Sequence, residues 1–172
     1  PLVTFLYFVL PYRFRVGMLL LASCWFYMVL IPKYILILFF LILVDYTAGI
    51  VIERSQGRKR KNLLLASLAV NVGTLAVFKY YNFFIENLNT LGTHFDSLSI
   101  ILPIGLSFHT FQSMSYTIEV YRGTVKAEKN FWIYSLYVMF YPQLVAGPIE
   151  RPQNLLPQLH KEHSFEWSRV KS

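Results

Sequence analysis

The side chains best equipped for chemistry in this sequence crowd into one apolar segment. Between Pro103 and Tyr121, His109, Gln112, Ser113, Tyr116 and Glu119 recur at helical spacing. At 100° per residue they share about 120° of arc, with Phe111, Met114 and Ile118 opposite. A polar stripe on an apolar helix faces a bundle interior or an aqueous path, where it can line a substrate route or hydrogen-bond neighbouring helices. His109 alone reads in three ways: general base, donor to a substrate oxygen, or packed core histidine. Asp45 is a second isolated polar group, set in an apolar run ahead of Tyr46 and Thr47. An intramembrane carboxylate is costly and marks a functional site by default. The expected role here is structural, capping a kink or pairing with a basic residue. His160-Lys161-Glu162-His163 places two imidazoles at i and i+3. Zinc takes at least three protein ligands, and only Glu162 or Glu166 could add a third, so the segment reads as a solvated loop and no metal site is expected. Glu150-Arg151 is either a local ion pair or charge at the mouth of a cavity formed by the break at Gly147-Pro148.

The elements that must carry these residues are membrane spans. The chain is 55% apolar and 15% charged, with 15 Phe and 12 Tyr among 172 residues. Water-soluble domains average about 25% charged residues, and disordered chains are poor in aromatics. Segments 16–32, 34–53, 62–84, 98–121 and 130–149 each approach the length of a hydrocarbon core, within which the backbone must be helical. Residues 1–10 form half of such a run and read as a truncated first span, and 151–172 as an interfacial segment with a short stripe of Leu155, Leu156 and Leu159. The expected fold is therefore an all-α polytopic membrane protein of about five spans. One cysteine, Cys24, excludes an internal disulfide framework.

The net charge of +7 reads as a topology signal rather than a nucleic-acid footprint, because the basic residues cluster between apolar runs. The strongest cluster, Arg54 to Lys61, is expected in the cytoplasm. Alternation puts Arg13, Arg15 and Arg122–Lys129 on the same side and Glu86–Asp96 outside. The last run, interrupted by Pro142 and ended by Gly147-Pro148, reads as kinked or re-entrant, which returns Arg151, Lys161, Arg169 and Lys171 to the cytoplasm. Pro142, Gln143, Gly147 and Pro148 join the polar stripe of residues 109–119 as candidate lining of a substrate path. Phosphate loops, dinucleotide fingerprints, nucleophile elbows and zincin motifs are absent. Physical reading alone leaves a membrane enzyme and a transporter or channel subunit both open, with no inverted repeat visible for the latter.

Several segments in order resemble the membrane-bound O-acyltransferase family, in its alginate O-acetyltransferase-like branch. They are Leu10-Pro11-Tyr12-Arg13-Phe14-Arg15, Leu21-Ala22-Ser23-Cys24-Trp25-Phe26-Tyr27, Val44-Asp45-Tyr46 and Phe78-Lys79-Tyr80-Tyr81-Asn82-Phe83-Phe84. The strongest runs from Leu102-Pro103-Ile104-Gly105 through Ser107-Phe108-His109-Thr110-Phe111-Gln112 to Val120-Tyr121-Arg122-Gly123, and the last is Phe140-Tyr141-Pro142-Gln143-Leu144-Val145-Ala146-Gly147-Pro148-Ile149. The resemblance implies a ring of tilted helices around a tunnel in the bacterial inner membrane. It also implies acetyl transfer from acetyl-CoA, a donor substrate rather than a bound cofactor, to an exported polysaccharide or to a periplasmic acetyl-carrier protein, with no nucleic-acid partner. The family's histidine motifs, Phe-Trp-x-Arg-Trp-His and Gly-Leu-Trp-His-Gly, do not occur, and Phe131-Trp132-Ile133-Tyr134 is not the first of them. No catalytic role therefore passes to His94, His109, His160 or His163. The expectation is the N-terminal part of such an enzyme, inactive alone, or an inactive truncated fragment.

Overall fold

The structure, a computed structural model, describes residues 2–30, 32–90, 105–144 and 150–161. Every described regular element is helical: α1 (Leu2–Val9), α2 (Tyr12–Leu30), a 3₁₀ turn (Pro32–Tyr34), α3 (Ile35–Arg54), α4 (Gly57–Thr90), α5 (Leu106–Arg122), α6 (Phe131–Met139), α7 (Tyr141–Leu144) and α8 (Pro152–Leu159).

α3 and α4 are long and apolar enough to cross a membrane. Their most apolar stretches are only 33% and 17% buried, so they are not core helices of a water-soluble fold. Leu36 is 76% exposed and Phe40 55%, a surface that requires an apolar surrounding. At 1.5 Å per residue the 34 residues of α4 rise about 51 Å, well beyond a hydrocarbon core of about 30 Å. The helix runs on past both ends of the 62–84 segment. The basic cluster also differs from the expected loop. Arg54 closes α3, Ser55-Gln56 alone connect, and Arg58, Lys59, Arg60 and Lys61 already lie in the first turns of α4.

α5 is shorter than the 98–121 segment within the described residues, and 98–104 lies outside them. It ends at Gly123, whose φ of +79° lets its N–H turn back to Val120 O at 3.1 Å while Thr124 N–H reaches Glu119 O at 3.2 Å. Segment 130–149 is not one crossing helix. Asn130 caps the start of α6, its side-chain oxygen accepting from the Trp132 and Ile133 N–H groups. The helix stops after nine residues, about 13.5 Å. Phe140 then leaves the helical region and Pro142 sits in the first turn of α7, where a missing N–H costs nothing. The stripe of 151–172 is partly taken by protein: Leu155 and Leu156 are buried, and α8 packs against α6 and α5.

One core joins these elements. Tyr27, Ile42, Tyr116, Tyr134, Leu136 and Tyr137 are each no more than 1% exposed within it. α5 stands at its centre, packed against α3, α4, α6 and α8.

Candidate functional site

The polar face of α5 turns inward. His109, Gln112, Ser113 and Tyr116 are buried, as are Thr110 and Thr117 beside them, while Phe111 on the opposite face is half exposed. Glu119 lies at the edge of this face, where its carboxylate pairs with Arg122 at 3.7 Å and accepts from Gln153 Nε2 at 3.0 Å and from the Thr124 hydroxyl.

Toward α3 the stripe meets Asp45, which is fully buried. Its partners are neutral donors rather than a base. Ser67 Oγ donates to Oδ1 at 2.6 Å, and Asn71 Nδ2 reaches both carboxylate oxygens at 2.9 Å. Ser67 and Asn71 are four residues apart, one turn of α4, so one face presents both to α3. The Asn71 amide is also held by its own helix, donating to Ser67 O at 3.0 Å. Ser113 of α5 approaches the same carboxylate, and Tyr134 of α6 faces it. Four helices thus share one buried polar knot. Sequence reading placed Asp45 and Ser113 but missed Ser67, Asn71 and Tyr134. The i,i+4 pair of polar residues in the otherwise apolar 62–78 run was the available signal.

On the α6 side, His109 meets the end of the helix. Val138 lies in the last turn of α6, so its carbonyl has no helical donor. His109 Nδ1 lies 2.7 Å from that oxygen. A carbonyl only accepts, so Nδ1 carries the proton and Nε2 holds the lone pair. That Nε2 is buried with no hydrogen-bond partner among the described residues. The His109 ring meets the Tyr27 ring edge-on at 5.9 Å. Both amide atoms of Gln112 and the Thr110 and Tyr27 hydroxyls are likewise buried without partners among the described residues. Each such group costs about 1–3 kcal/mol unless something polar meets it. Chemically, the seam offers an imidazole lone pair, an amide and two hydroxyls inside an apolar bundle.

Tyr116 is tied on all sides. Its hydroxyl accepts from Glu128 N–H at 2.9 Å, its ring lies 4.6 Å from Tyr134, and α3 approaches it closely at Gly49. Tyr137 donates to Gln112 O at 3.5 Å or Glu150 O at 3.3 Å. Of the break residues, Pro142 borders a cavity of about 330 Å³ between α1, α2, α6 and α8, and Gln143 is half-buried with an unpartnered Oε1. Gly147 and Pro148 lie outside the described residues, as do His94 and His163. His160 is engaged by Glu128, Nε2 to Oε2 at 2.7 Å. Arg151 precedes α8, and Glu150 contributes its backbone oxygen to Tyr137.

Comparison with known proteins defines the class. No family model matches the chain, and no solved structure matches it. Curated proteins do. The chain is 34% identical over 174 residues to the probable alginate O-acetylase of Pseudomonas aeruginosa, covering 96% of this chain and 34% of that protein. It is 34% identical over 176 residues to the probable alginate O-acetylase of Azotobacter vinelandii, covering 96% of this chain and 35% of that one. It is also 31% identical over 172 residues to the peptidoglycan O-acetyltransferase of Helicobacter pylori, covering 85% of this chain and 33% of the relative. These relatives bear out the resemblance to the alginate O-acetylase-like branch of the membrane-bound O-acyltransferase family, and the apolar helices are those of a membrane protein. It spans about a third of the length of the relatives it matches.

Proposed function

We propose that this chain forms part of an O-acetyltransferase that modifies an exported polysaccharide from within the bacterial inner membrane, crossing it several times. The observation that carries this reading is similarity along 96% of the chain to an alginate O-acetylase, joined by similarity to a peptidoglycan O-acetyltransferase. The two relatives are named for different acceptors and one chemistry, acetyl transfer to a glycan hydroxyl. The acetyl donor is acetyl-CoA, approaching from the cytoplasmic side, and a periplasmic carrier receives the acetyl group where the glycan does not take it directly.

The reaction moves an acetyl group from a thioester sulfur to an oxygen. The hydroxyl loses its proton to a base, the new C–O bond forms, and the thiolate leaves and is protonated. The base is a histidine of the family's Trp-His segments, which this sequence does not contain, so the chain alone is inactive. Its own contribution is the buried seam of His109, Gln112, Ser113 and Tyr116 as wall of the substrate route. Pro142 and Gln143 form the broken backbone beside it, and Glu119 its polar rim. Irregular backbone at membrane depth belongs where it lines a cavity. Acetyl transfer by the full-length enzyme, measured as ester released from the glycan, should fall in Gln112→Leu and Tyr116→Phe while membrane insertion persists. Unchanged turnover in both variants removes the seam from the route.

A further inference from the structure

Two clefts adjoin at the start of α2. The first, about 330 Å³, is walled by residues such as Tyr7, Leu19, Leu136 and Leu159. The second, about 470 Å³, is walled by Gly17, Leu20, Trp132 and Ile133. Both include Tyr12 and Val16, one helical turn apart, which form the ridge between them. The ridge is fixed from below, because Tyr12 Oη donates to His160 O at 2.7 Å.

The outer rims of the clefts carry positive charge. Arg15 lines the first and Arg13 the second. At 100° per residue the two fall on opposite sides of Tyr12, at about 60° and 100°. The Arg15 guanidinium is oriented by Nε donating to Leu10 O at 3.1 Å and lies 4.8 Å from the Tyr7 ring centroid. Arg13 is exposed and makes no hydrogen bond or ion pair among the described residues. No carboxylate among the described residues lines either cleft. Both arginines sit at the α2 N-terminus, whose free N–H groups also favour an anion. Tyr7, Tyr12 and Trp132 give the rims the amphipathic aromatics found at headgroup depth.

We propose that this end of α2 seats one anionic diacyl phospholipid astride the Tyr12–Val16 ridge, with a tail in each cleft and the phosphate between Arg13 and Arg15. Two adjoining apolar clefts match two acyl tails, whereas a coenzyme A thioester offers a single, largely polar arm. The cationic rims with no carboxylate select a headgroup of net negative charge, the kind that concentrates in the cytoplasmic leaflet.

The test uses the purified full chain with dioleoyl-phosphatidylglycerol and, as a control with the same tails, dioleoyl-phosphatidylcholine. Bound lipid is counted by native mass spectrometry. Phosphatidylglycerol should be retained over phosphatidylcholine. Arg13→Ala/Arg15→Ala should weaken that retention by about thirtyfold, at about fivefold for each basic residue near the surface. Gly17→Leu should lower retention of both lipids with the arginines intact, because a side chain there enters open space in the second cleft. Arg13→Ala alone, which removes no internal bond, stands in if the double variant does not fold. Retention indifferent to all variants overturns the proposal. Loss only in the arginine variants reduces the site to diffuse surface charge and overturns it too, as does loss only in Gly17→Leu. Displacement of phosphatidylglycerol by equimolar coenzyme A assigns the cations to a soluble ligand and equally overturns it.

Discussion

Gly49 is the point where α3 comes closest to the polar face of α5, and Gly49→Ala puts that approach to a quantitative test. A Cβ there would lie 2.8 Å from Tyr116 Cε1 and 2.8 Å from its hydroxyl. The obstacle is an aromatic ring, fully buried, tilted at 47° against the Tyr134 ring with centroids 4.6 Å apart, and hydrogen-bonded to Glu128 N–H. It cannot swing aside without breaking those contacts. Two effects oppose each other. Alanine gains about 0.8–1 kcal/mol over glycine in a helix. Overpacking costs about 1–3 kcal/mol, and loss of the Glu128 bond adds about 1 kcal/mol. The steric side wins, with net destabilisation of about 1–3 kcal/mol. Removing the ring reverses the sign: in a Tyr116→Ala background, Gly49→Ala should stabilise by up to about 1 kcal/mol. The measurement is a double-mutant cycle on denaturant-induced unfolding in detergent micelles, followed by far-UV circular dichroism. The expected coupling between the two sites is at least about 2 kcal/mol. Equal stabilisation by Gly49→Ala in both backgrounds would refute the close packing of α3 on Tyr116.

Two further outcomes concern the same bundle. Asp45→Ala strands the Ser67 hydroxyl and Asn71 amide and should cost about 1–2 kcal/mol, the upper range for interhelical hydrogen bonds in membranes. Adding Ser67→Ala and Asn71→Leu should recover most of that loss in the same unfolding assay. An uncompensated deficit would mean that Asp45 acts through other groups. Asn130→Ala removes the cap of α6 and should lower stability by about 1 kcal/mol, with Asn130→Asp close to wild type. A thermal midpoint unmoved by Asn130→Ala would show that α6 is held by its packing alone.

The orientation of α5 was legible because a helical period converts spacing directly into a face. His109, Gln112, Ser113 and Tyr116 are buried together as their 100° phases require. Their partners were not legible, since Ser67, Asn71, Tyr134 and Tyr137 reach them across other helices and no local spacing encodes those meetings. Pro142 announced a break, yet that His109 would meet the open carbonyl of Val138 at the end of α6 required knowing which histidine stood nearby. Span ends were the weakest inference. Charge marks where a chain leaves lipid, not where its helix stops, and Arg58–Lys61 stay helical because α4 continues beyond the apolar run. The stop after Met139 was equally hidden, because Phe140 and Tyr141 are as apolar as the helix they interrupt.

The hydrogen bond from Tyr12 to the backbone of His160 joins residues 148 positions apart. During synthesis at about 5–20 residues per second, that oxygen emerges roughly 7–30 s after the tyrosine. For most of that interval the start of α2 has no contact from α6 or α8, the two helices that later enclose it. Insertion therefore proceeds with an open seam along α2, and the bundle closes only when its last described helix arrives. Assembly is ordered by the chain's own timetable: early helices wait, and the end of the last described one latches α2.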